Sequence, residues 1–492
     1  MKFRIRFFVF TALCLCPAGA GRAQNTPPTP VTITVTPGAR QTFQGLGTSQ
    51  YNFTYETLPP ERRALLARLV YHDLHMKSLR LWFSLRDYSP ARGEKRPEGF
   101  IQAYVSSHII ADARANGVTT LLFGPEKPPL YMLEDPANGD SQVKASEVGN
   151  YAALMADFFE SLQTRYGLTL QATGIGNEPP WFTPQTMAAT VKDLRAELDK
   201  RGLQNMKIVA HESPNNDGVA DGFLLAMKND PAAWRSLSGI ATHSYNMSAR
   251  NEEAAIVAGS GKGFWITEAG GGGPEGPNDA RQASSMAARF LNDMNHRVTH
   301  WLWFLGAVDV GQWPVSGDNS QRLIEFQADR PADWYLPFLK YYYLRQLSDT
   351  FDVGAVFRQS QSSREGDMLW TEAPKPSLVA AAGRNPDGSW GIGITDYTSD
   401  AFSGWDSGGL HAKGSPARVF QVTLQIPELA GEGDVPFQVT RSSESLRQIE
   451  EGVCVMRRGR IALPLAPLEL VTLRSVRRTP RPTIGGIGKP HG

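Results

Sequence analysis

The chain is poor in cysteine. Three occur in 492 residues, and two of these, Cys14 and Cys16, fall within the N-terminal segment. Once that segment is removed, Cys454 stands alone. One thiol closes no internal disulfide and builds no cysteine-based metal site, so packing must hold the mature chain. Charge of one sign is also lacking: 50 Lys and Arg face 49 Asp and Glu, a formal net charge of +1. Such a balance gives no broad attraction to nucleic acid or to an anionic membrane surface, so no nucleic-acid partner is expected. Beyond the N-terminus no stretch reaches the roughly 18 uninterrupted apolar residues of a helical span, and no membrane span is expected. The chain also lacks a glycine-rich phosphate turn after an early strand; GLGTS at 45–49 does not supply one.

What is present suits a globular protein with a large core. Hydrophobic residues make up 41% and charged residues 20% of a chain long enough for two domains. The N-terminus reads as a secretory leader. MKFRIR supplies basic residues, FFVFTALCLC a short apolar run, and Ala18-Gly19-Ala20 or Gly21-Arg22-Ala23 a small-residue cleavage site. A leader over residues 1–23 places the mature protein outside the cytoplasm, secreted or periplasmic. Leu before each of Cys14 and Cys16 argues against a lipid anchor there.

Residues 24–42 read as a Pro-rich linker followed by an alternating strand, VTITVTP. Over 43–347 short apolar runs alternate with helical segments. FQGLGTS, KSLRLWFS, GVTTLLFG, LTLQATGIG, NMKIVAH, LSGIATHSY, KGFWITEA and THWLWFL are the strand candidates. A segment near 100–116, VGNYAALMADFFESLQTRYG and PQTMAATVKDLRAELDKRG are among the helical candidates. Eight such units predict an α/β (β/α)8 barrel, with an open doubly wound sheet as the alternative. From 348 to 475 helical periodicity fades into strands separated by Pro, Gly, Asp and Asn turns, which predicts an appended β-sandwich. The VTITVT strand can join that sandwich and tie the chain ends together. Residues 476–492, rich in Pro, Gly and Arg, read as a disordered tail.

Catalytic groups of such barrels sit at the C-terminal ends of the strands. LQATGIGNEPPW at 170–181 ends the fourth strand candidate in Asn177 and Glu178, and two prolines forbid its continuation. GFWITEAGGGG ends the seventh in Glu268, followed by glycines that let a substrate approach closely. A strand-end Glu alone is more often a loop or salt-bridge residue. Two on opposed strands supply the pair of carboxyl groups that glycoside hydrolysis needs. Asn177 is a candidate partner for a sugar hydroxyl. Arg80, on the second strand, is a candidate to hold Glu268 ionised. His243 and Tyr245, closing the sixth, are candidates to bind Glu268 and a sugar hydroxyl. Trp303, on the eighth, is a candidate apolar floor. Glu212, after the fifth, is a rival carboxylate and a candidate to line the cleft. The bland readings are a structural histidine and core-packing aromatics. His211, Glu212 and His243 together match no metal-site spacing such as HExxH, so neither a metal nor any other cofactor is expected.

Asn177-Glu178-Pro179 and Ile266-Thr267-Glu268 resemble the acid/base and nucleophile motifs of clan A glycoside hydrolases. FQGLGTS resembles the FxGFGgS opening of glycoside hydrolase family 30, the glucosylceramidase-like group. GPEKPPLYM at 124–132 stands where that family has an SPWSPPxWMK-like stretch, and the N-terminal strand shared with a C-terminal sandwich is also similar. The resemblance covers about 31 to 475. It implies that Glu178 is the general acid/base and Glu268 the nucleophile of a retaining β-glycosidase acting on a carbohydrate substrate; no cofactor is needed, and a monomer is expected. The chain departs from the family where Glu126, beside Lys127, replaces a Trp, and Tyr131 replaces a second. An acidic side chain cannot stack on a sugar; Glu126 would bond hydroxyls or pair with Lys127. This weighs against glucosylceramide and leaves β-1,6-glucan, β-galactan, xylan and fucosides open. The alternatives are a non-catalytic carbohydrate-binding protein on the same barrel and a metal-dependent barrel hydrolase or lyase.

Overall fold

The computed structural model describes residues 27–49, 55–271, 276–311, 321–364, 376–400 and 415–476. The leader expected at 1–23 and the tail expected at 476–492, Val476 apart, lie outside the described residues.

β1 (Thr29–Thr36) precedes eight strands: β2 (Gly45–Ser49), β3 (Met76–Ser84), β4 (Thr120–Glu126), β5 (Ala172–Thr173), β6 (Lys207–His211), β7 (Gly239–Ser244), β8 (Gly263–Ala269) and β9 (His300–Asp309). These eight pair in chain order, all parallel, and β9 closes the ring by bonding both β8 and β2. They form the expected (β/α)8 barrel. The strands read as continuous apolar runs because inner side chains and outer helices bury both faces. Leu122, Ala172, Val209, Ala241, Trp265 and Leu302 fill the interior. Room for the Trp265 indole comes from Gly239 and Gly263, where a Cβ would sit 2.8 Å from Nε1.

Two helices match their sequence signals closely. Val148–Tyr166 ends at Gly167 in the left-handed region, and Pro184–Lys200 starts at a Thr183 capping box with Pro at its first position. The helix expected near 100–116 is broken. Ile101–Ser106 forms a π-turn, His108 takes a φ of 70°, and Ile109–Ala115 starts a new helix. Beside the break, the Ser107 hydroxyl donates to the Ala103 carbonyl (2.5 Å), a back-bond that competes with the regular ladder.

The remaining strands are β10 (Arg322–Phe326), β11 (Tyr335–Pro337), β12 (Val356–Ser362), β13 (Leu378–Arg384), β14 (Trp390–Asp396), β15 (Phe420–Gln425), β16 (Asp434–Ser442), β17 (Ile449–Arg457), β18 (Arg460–Leu465) and β19 (Leu470–Ser475). β10 and β11 extend the barrel sheet from β9. The other eight join β1 in a second, all-β unit around its own apolar core. β1 pairs antiparallel with β12 and parallel with β15, and its alternating burial sends Val31, Ile33 and Val35 into that core. Hydrogen bonds run right round this unit, so the sandwich is closed at its edges, with β17 and β18 joined only by Arg457–Arg460.

The barrel helices Ala280–Asn295 and Leu339–Thr350 pack against this second unit. Buried Asn295 stitches the two together: its Oδ1 accepts from Ser360 N (2.9 Å) and its Nδ2 donates to the Ala380 carbonyl (2.9 Å). Asn295→Ala strands one buried donor and one acceptor. It should lower stability by about 1–3 kcal/mol in chemical denaturation while leaving the barrel mouth unchanged.

Candidate active site

The barrel's fourth strand is only two residues long, because the chain after Thr173 is pulled out of regular pairing by its neighbours. A Cβ on Gly174 would lie 1.9 Å from Glu212 Oε2, so only glycine lets the backbone pass that buried carboxylate. The segment still hangs beside β4 through Gly174 N to the Phe123 carbonyl (2.8 Å) and Asn177 N to the Pro125 carbonyl (2.8 Å). Glu178 N then donates to the Glu212 carbonyl (3.0 Å), locking the exits of strands four and five together. At both exits the glutamate itself is left-handed, with φ of 44° at Glu178 and 61° at Glu212. Each such conformation costs on the order of 1–3 kcal/mol and persists only where its surroundings impose it.

Arg80, fully buried on β3, joins the groups. Its Nη1 donates to Glu268 Oε1, and its Nη2 donates to Asn177 Oδ1 (2.9 Å) and Glu212 Oε1 (3.2 Å). Because the Asn177 oxygen faces Arg80, its amide nitrogen is turned away from the guanidinium and is available as a donor. The Trp82 ring stacks beneath the guanidinium carbon at 5.2 Å. Tyr245 Oη donates to Glu268 Oε2 (2.5 Å), so each Glu268 oxygen receives a hydrogen bond.

His243 lies between the two candidate catalytic carboxyls. Its Nδ1 is 2.9 Å from Glu178 Oε1 and 3.6 Å from Glu268 Oε2. Burial pushes its pKa down to about 4, so the imidazole is neutral near pH 7. A neutral ring accepts from a protonated Glu178 in one tautomer and donates to an ionised one in the other. An oxygen of each glutamate and a His243 ring nitrogen all lie within 4.8 Å of one another.

The two carboxyls sit in different surroundings. The Glu178 side chain is 37% exposed, that of Glu268 only 3%. Burial raises the Glu178 pKa, and the charge of Arg80 opposes it weakly from behind. Burial also pushes Glu268 up and leaves it above its ordinary value, although the charge of Arg80 and the Tyr245 hydrogen bond favour its ionised form. A partly exposed carboxyl biased to its protonated form thus faces a buried one with two donors on it.

The expected residues divide accordingly. Arg80, Asn177, Glu178, Glu212, His243, Tyr245 and Glu268 form one bonded cluster. Glu212, expected to line the cleft, is instead wholly buried beneath Arg80. Trp303, expected as an apolar floor, faces the helices: it stacks near Trp301, its indole donates to the Gln321 carbonyl, and Lys340 lies over its ring at 5.6 Å. Trp303 shares the outer face of β9 with Trp301, and Phe304, two residues after the inward Leu302, takes the inward place. Trp82, Phe304 and Tyr245 make the apolar wall, with Trp82 and Phe304 centroids 5.2 Å apart. Trp82 was legible as sharing a strand face with Arg80 two residues earlier, and Phe304 as sharing one with Leu302. Glu126 ends β4 half-buried and lines, with Trp82, Ser84, Asp87 and Tyr104, a neighbouring cavity of about 490 Å³. His211 bonds Ser213 Oγ (2.8 Å), stacks on Phe223 and lies outside the cluster.

No protein-family model matches the chain. A glucuronoxylanase, XynC of Bacillus subtilis, is 29% identical over 156 residues, 29% of this chain and 35% of the relative; the match thus spans about a third of that relative's length. The glycoside hydrolase family 30 subfamily 8 xylanase Xyn30A of Clostridium acetobutylicum superposes with a TM-score of 0.62 at 18% identity, covering 90% of this chain and 99% of that one. The endo-beta1,6-glucanase BT3312 superposes with a TM-score of 0.60 at 17% identity, covering 91% and 95%. At these identities the superpositions establish a shared fold: a family 30-like barrel with its appended β unit.

Replacing Arg80 by Met leaves Glu212 and Glu268 buried without their cation and should cost about 3–5 kcal/mol. Without the guanidinium Glu268, already held above its ordinary pKa by burial, would rise further. A raised folded pKa means the folded state binds more protons, so stability is kept at low pH and lost as pH rises. The gap between wild type and Arg80→Met in urea denaturation should therefore widen from pH 4 toward pH 7; a gap that narrows would show that Arg80 does not stabilise these carboxylates.

Proposed function

We propose that this chain is a retaining β-glycoside hydrolase, acting after export on a β-linked glycan or glycoconjugate. The observation that carries this reading is the pair of strand-four and strand-seven carboxyl oxygens within 4.8 Å. Retaining enzymes place the pair about 5–5.5 Å apart, whereas inverting ones need about 6.5–9.5 Å to admit a water. The likeness to a glucuronoxylanase, a xylanase and an endo-beta1,6-glucanase favours a xylan or β-glucan as the carbohydrate.

In the first step Glu178, protonated, gives its proton to the glycosidic oxygen as the bond to the anomeric carbon breaks. A Glu268 oxygen attacks that carbon from the opposite face and forms a glycosyl ester. Ester formation neutralises Glu268, which removes the negative charge favouring protonation of Glu178, so Glu178 stays ionised and takes a proton from water. That water attacks the same carbon, releases Glu268 and restores the original anomeric configuration. Arg80 and Tyr245 hold both Glu268 oxygens, orienting the attack and stabilising the carboxylate when it leaves. With its oxygen taken by Arg80, Asn177 has its amide nitrogen left to donate to a hydroxyl beside the anomeric carbon.

A second reading rests on the same trio, since Glu178, His243 and Glu268 also suit a divalent cation by donor type. Arg80 disfavours it by placing a fixed positive charge against Glu268. Turnover unaffected by EDTA supports the two-carboxyl mechanism, and loss restored by a metal supports the second.

Glu268→Gln should abolish turnover of β-glycans with the fold intact by circular dichroism. Glu178→Ala should lose roughly 10²–10⁴-fold in kcat/KM on a natural glycan and less on an aryl glycoside with an activated leaving group, with azide restoring rate. Product anomers read by NMR should show retention; inversion would refute the double displacement. Catalysis needs Glu178 protonated and Glu268 ionised. The alkaline limb of kcat/KM should therefore follow the raised Glu178 pKa and disappear in Glu178→Ala.

A further inference from the structure

The opposite end of the barrel holds a concavity of about 450 Å³ at the N-terminal ends of β6 to β9. Arg40, Lys207, Lys262 and Arg297 line it together with Trp265 and His300, and no acidic residue does. None of the four cations is ion-paired among the described residues. Their recorded hydrogen-bond partners are neutral. Arg40 donates to the Asn295 carbonyl and to Gln359 Oε1, Arg297 to the Arg40 carbonyl (3.4 Å), and Lys262 to the Leu237 carbonyl (2.6 Å). Such partners fix the cationic heads without cancelling their charge. A chain with net charge of +1 thus keeps four unneutralised cations in one hollow. Burial, with repulsion from Arg297, lowers Arg40 to about 10, still charged near pH 7.

The floor is aromatic. Trp265 and His300 stack with centroids 3.4 Å apart, and burial pushes His300 down to about 3, so the ring pair is uncharged. Gly259, Gly261 and Gly263 form part of the rim, where the absence of side chains opens the hollow.

We propose that this hollow is a second binding site, for a saccharide bearing an anionic substituent such as a carboxylate or sulfate. The cations would hold the acidic group while the ring rests on the Trp265–His300 edge. A concave site of one- or two-ring size does not fit a duplex or a flat bilayer. The anion preference stands on the cavity alone; the choice of a saccharide rests on the glycosidase reading. Lying at the far end of the barrel from Glu178 and Glu268, the site anchors acidic glycan without occupying the cleft.

Calorimetric titration tests this on the Glu268→Gln chain, so that binding is read without turnover. Galacturonate trisaccharide, neutral xylotriose and inorganic sulfate are the probes. The expected result is galacturonate binding that weakens at least tenfold in Lys207→Glu/Arg297→Glu and with added salt, while any xylotriose binding is unchanged. If that variant misfolds by circular dichroism, Lys207→Gln/Lys262→Gln should weaken binding in the same direction. No galacturonate binding, or binding indifferent to both variants, overturns the site. Sulfate binding as tightly as galacturonate overturns its saccharide character and leaves a simple anion site. Failure of the glycosidase reading would appear separately, as wild-type protein that does not turn over β-glycans.

Discussion

A buried guanidinium between two buried carboxylates is the interaction on which the barrel mouth depends. Arg80, Glu212 and the Glu268 side chain are almost wholly removed from water. Any of these charges alone would be driven to its neutral form or would unfold the site, since the desolvation penalty of an unpaired buried ion is several kcal/mol. Together they hold, and they fix strands two, five and seven of the barrel to one another. Glu212 acts here as a support: by pairing with Arg80 from below, it keeps the guanidinium aimed at Glu268 and Asn177.

That arrangement explains why two chemically identical side chains diverge. Glu268 is buried but receives two donors. Glu178 stands at the open edge, with the neutral His243 ring against one oxygen and no direct bond to Arg80. On the proposed mechanism it is environment, not residue type, that separates the acid from the nucleophile. The left-handed turns at Glu178 and Glu212 belong to the same arrangement: the Glu178 N to Glu212 carbonyl bond ties the two strand exits together, with Glu178 at the open edge and Glu212 buried beneath Arg80. The two ends of the barrel differ as well: the mouth pairs every cation of its cluster with carboxylates, while the hollow at the foot leaves its cations to neutral carbonyls.

Much of this could be read from residue order. Eight apolar runs with helices between them announce a parallel barrel, and alternation in VTITVT announces a strand that buries Val31, Ile33 and Val35. Glu178 and Glu268 were visible because both follow apolar runs and precede residues that end a strand. Arg80 and Tyr245 were legible by position as partners of Glu268. Trp303 was misplaced because every residue of the run WLWFL is apolar and suits either face; in the structure Trp301 and Trp303 share the outer face while Leu302 and Phe304 point inward. The helix near 100–116 failed for a related reason: a Ser107 back-bond and a left-handed His108 break it locally without disturbing its apolar pattern.

Local order therefore determined the elements, the strand ends and the types of group available there, since hydrophobic period and chain-breaking residues act over a few neighbours. The tertiary structure alone decided which carboxylate would be buried, which would stay open, and which would serve as a counter-ion. It decided as well that four cations far apart in the chain would share one hollow. Those outcomes turn on distances of a few ångströms between segments remote in sequence, where desolvation and Coulomb attraction change steeply and residue spacing carries no trace of them.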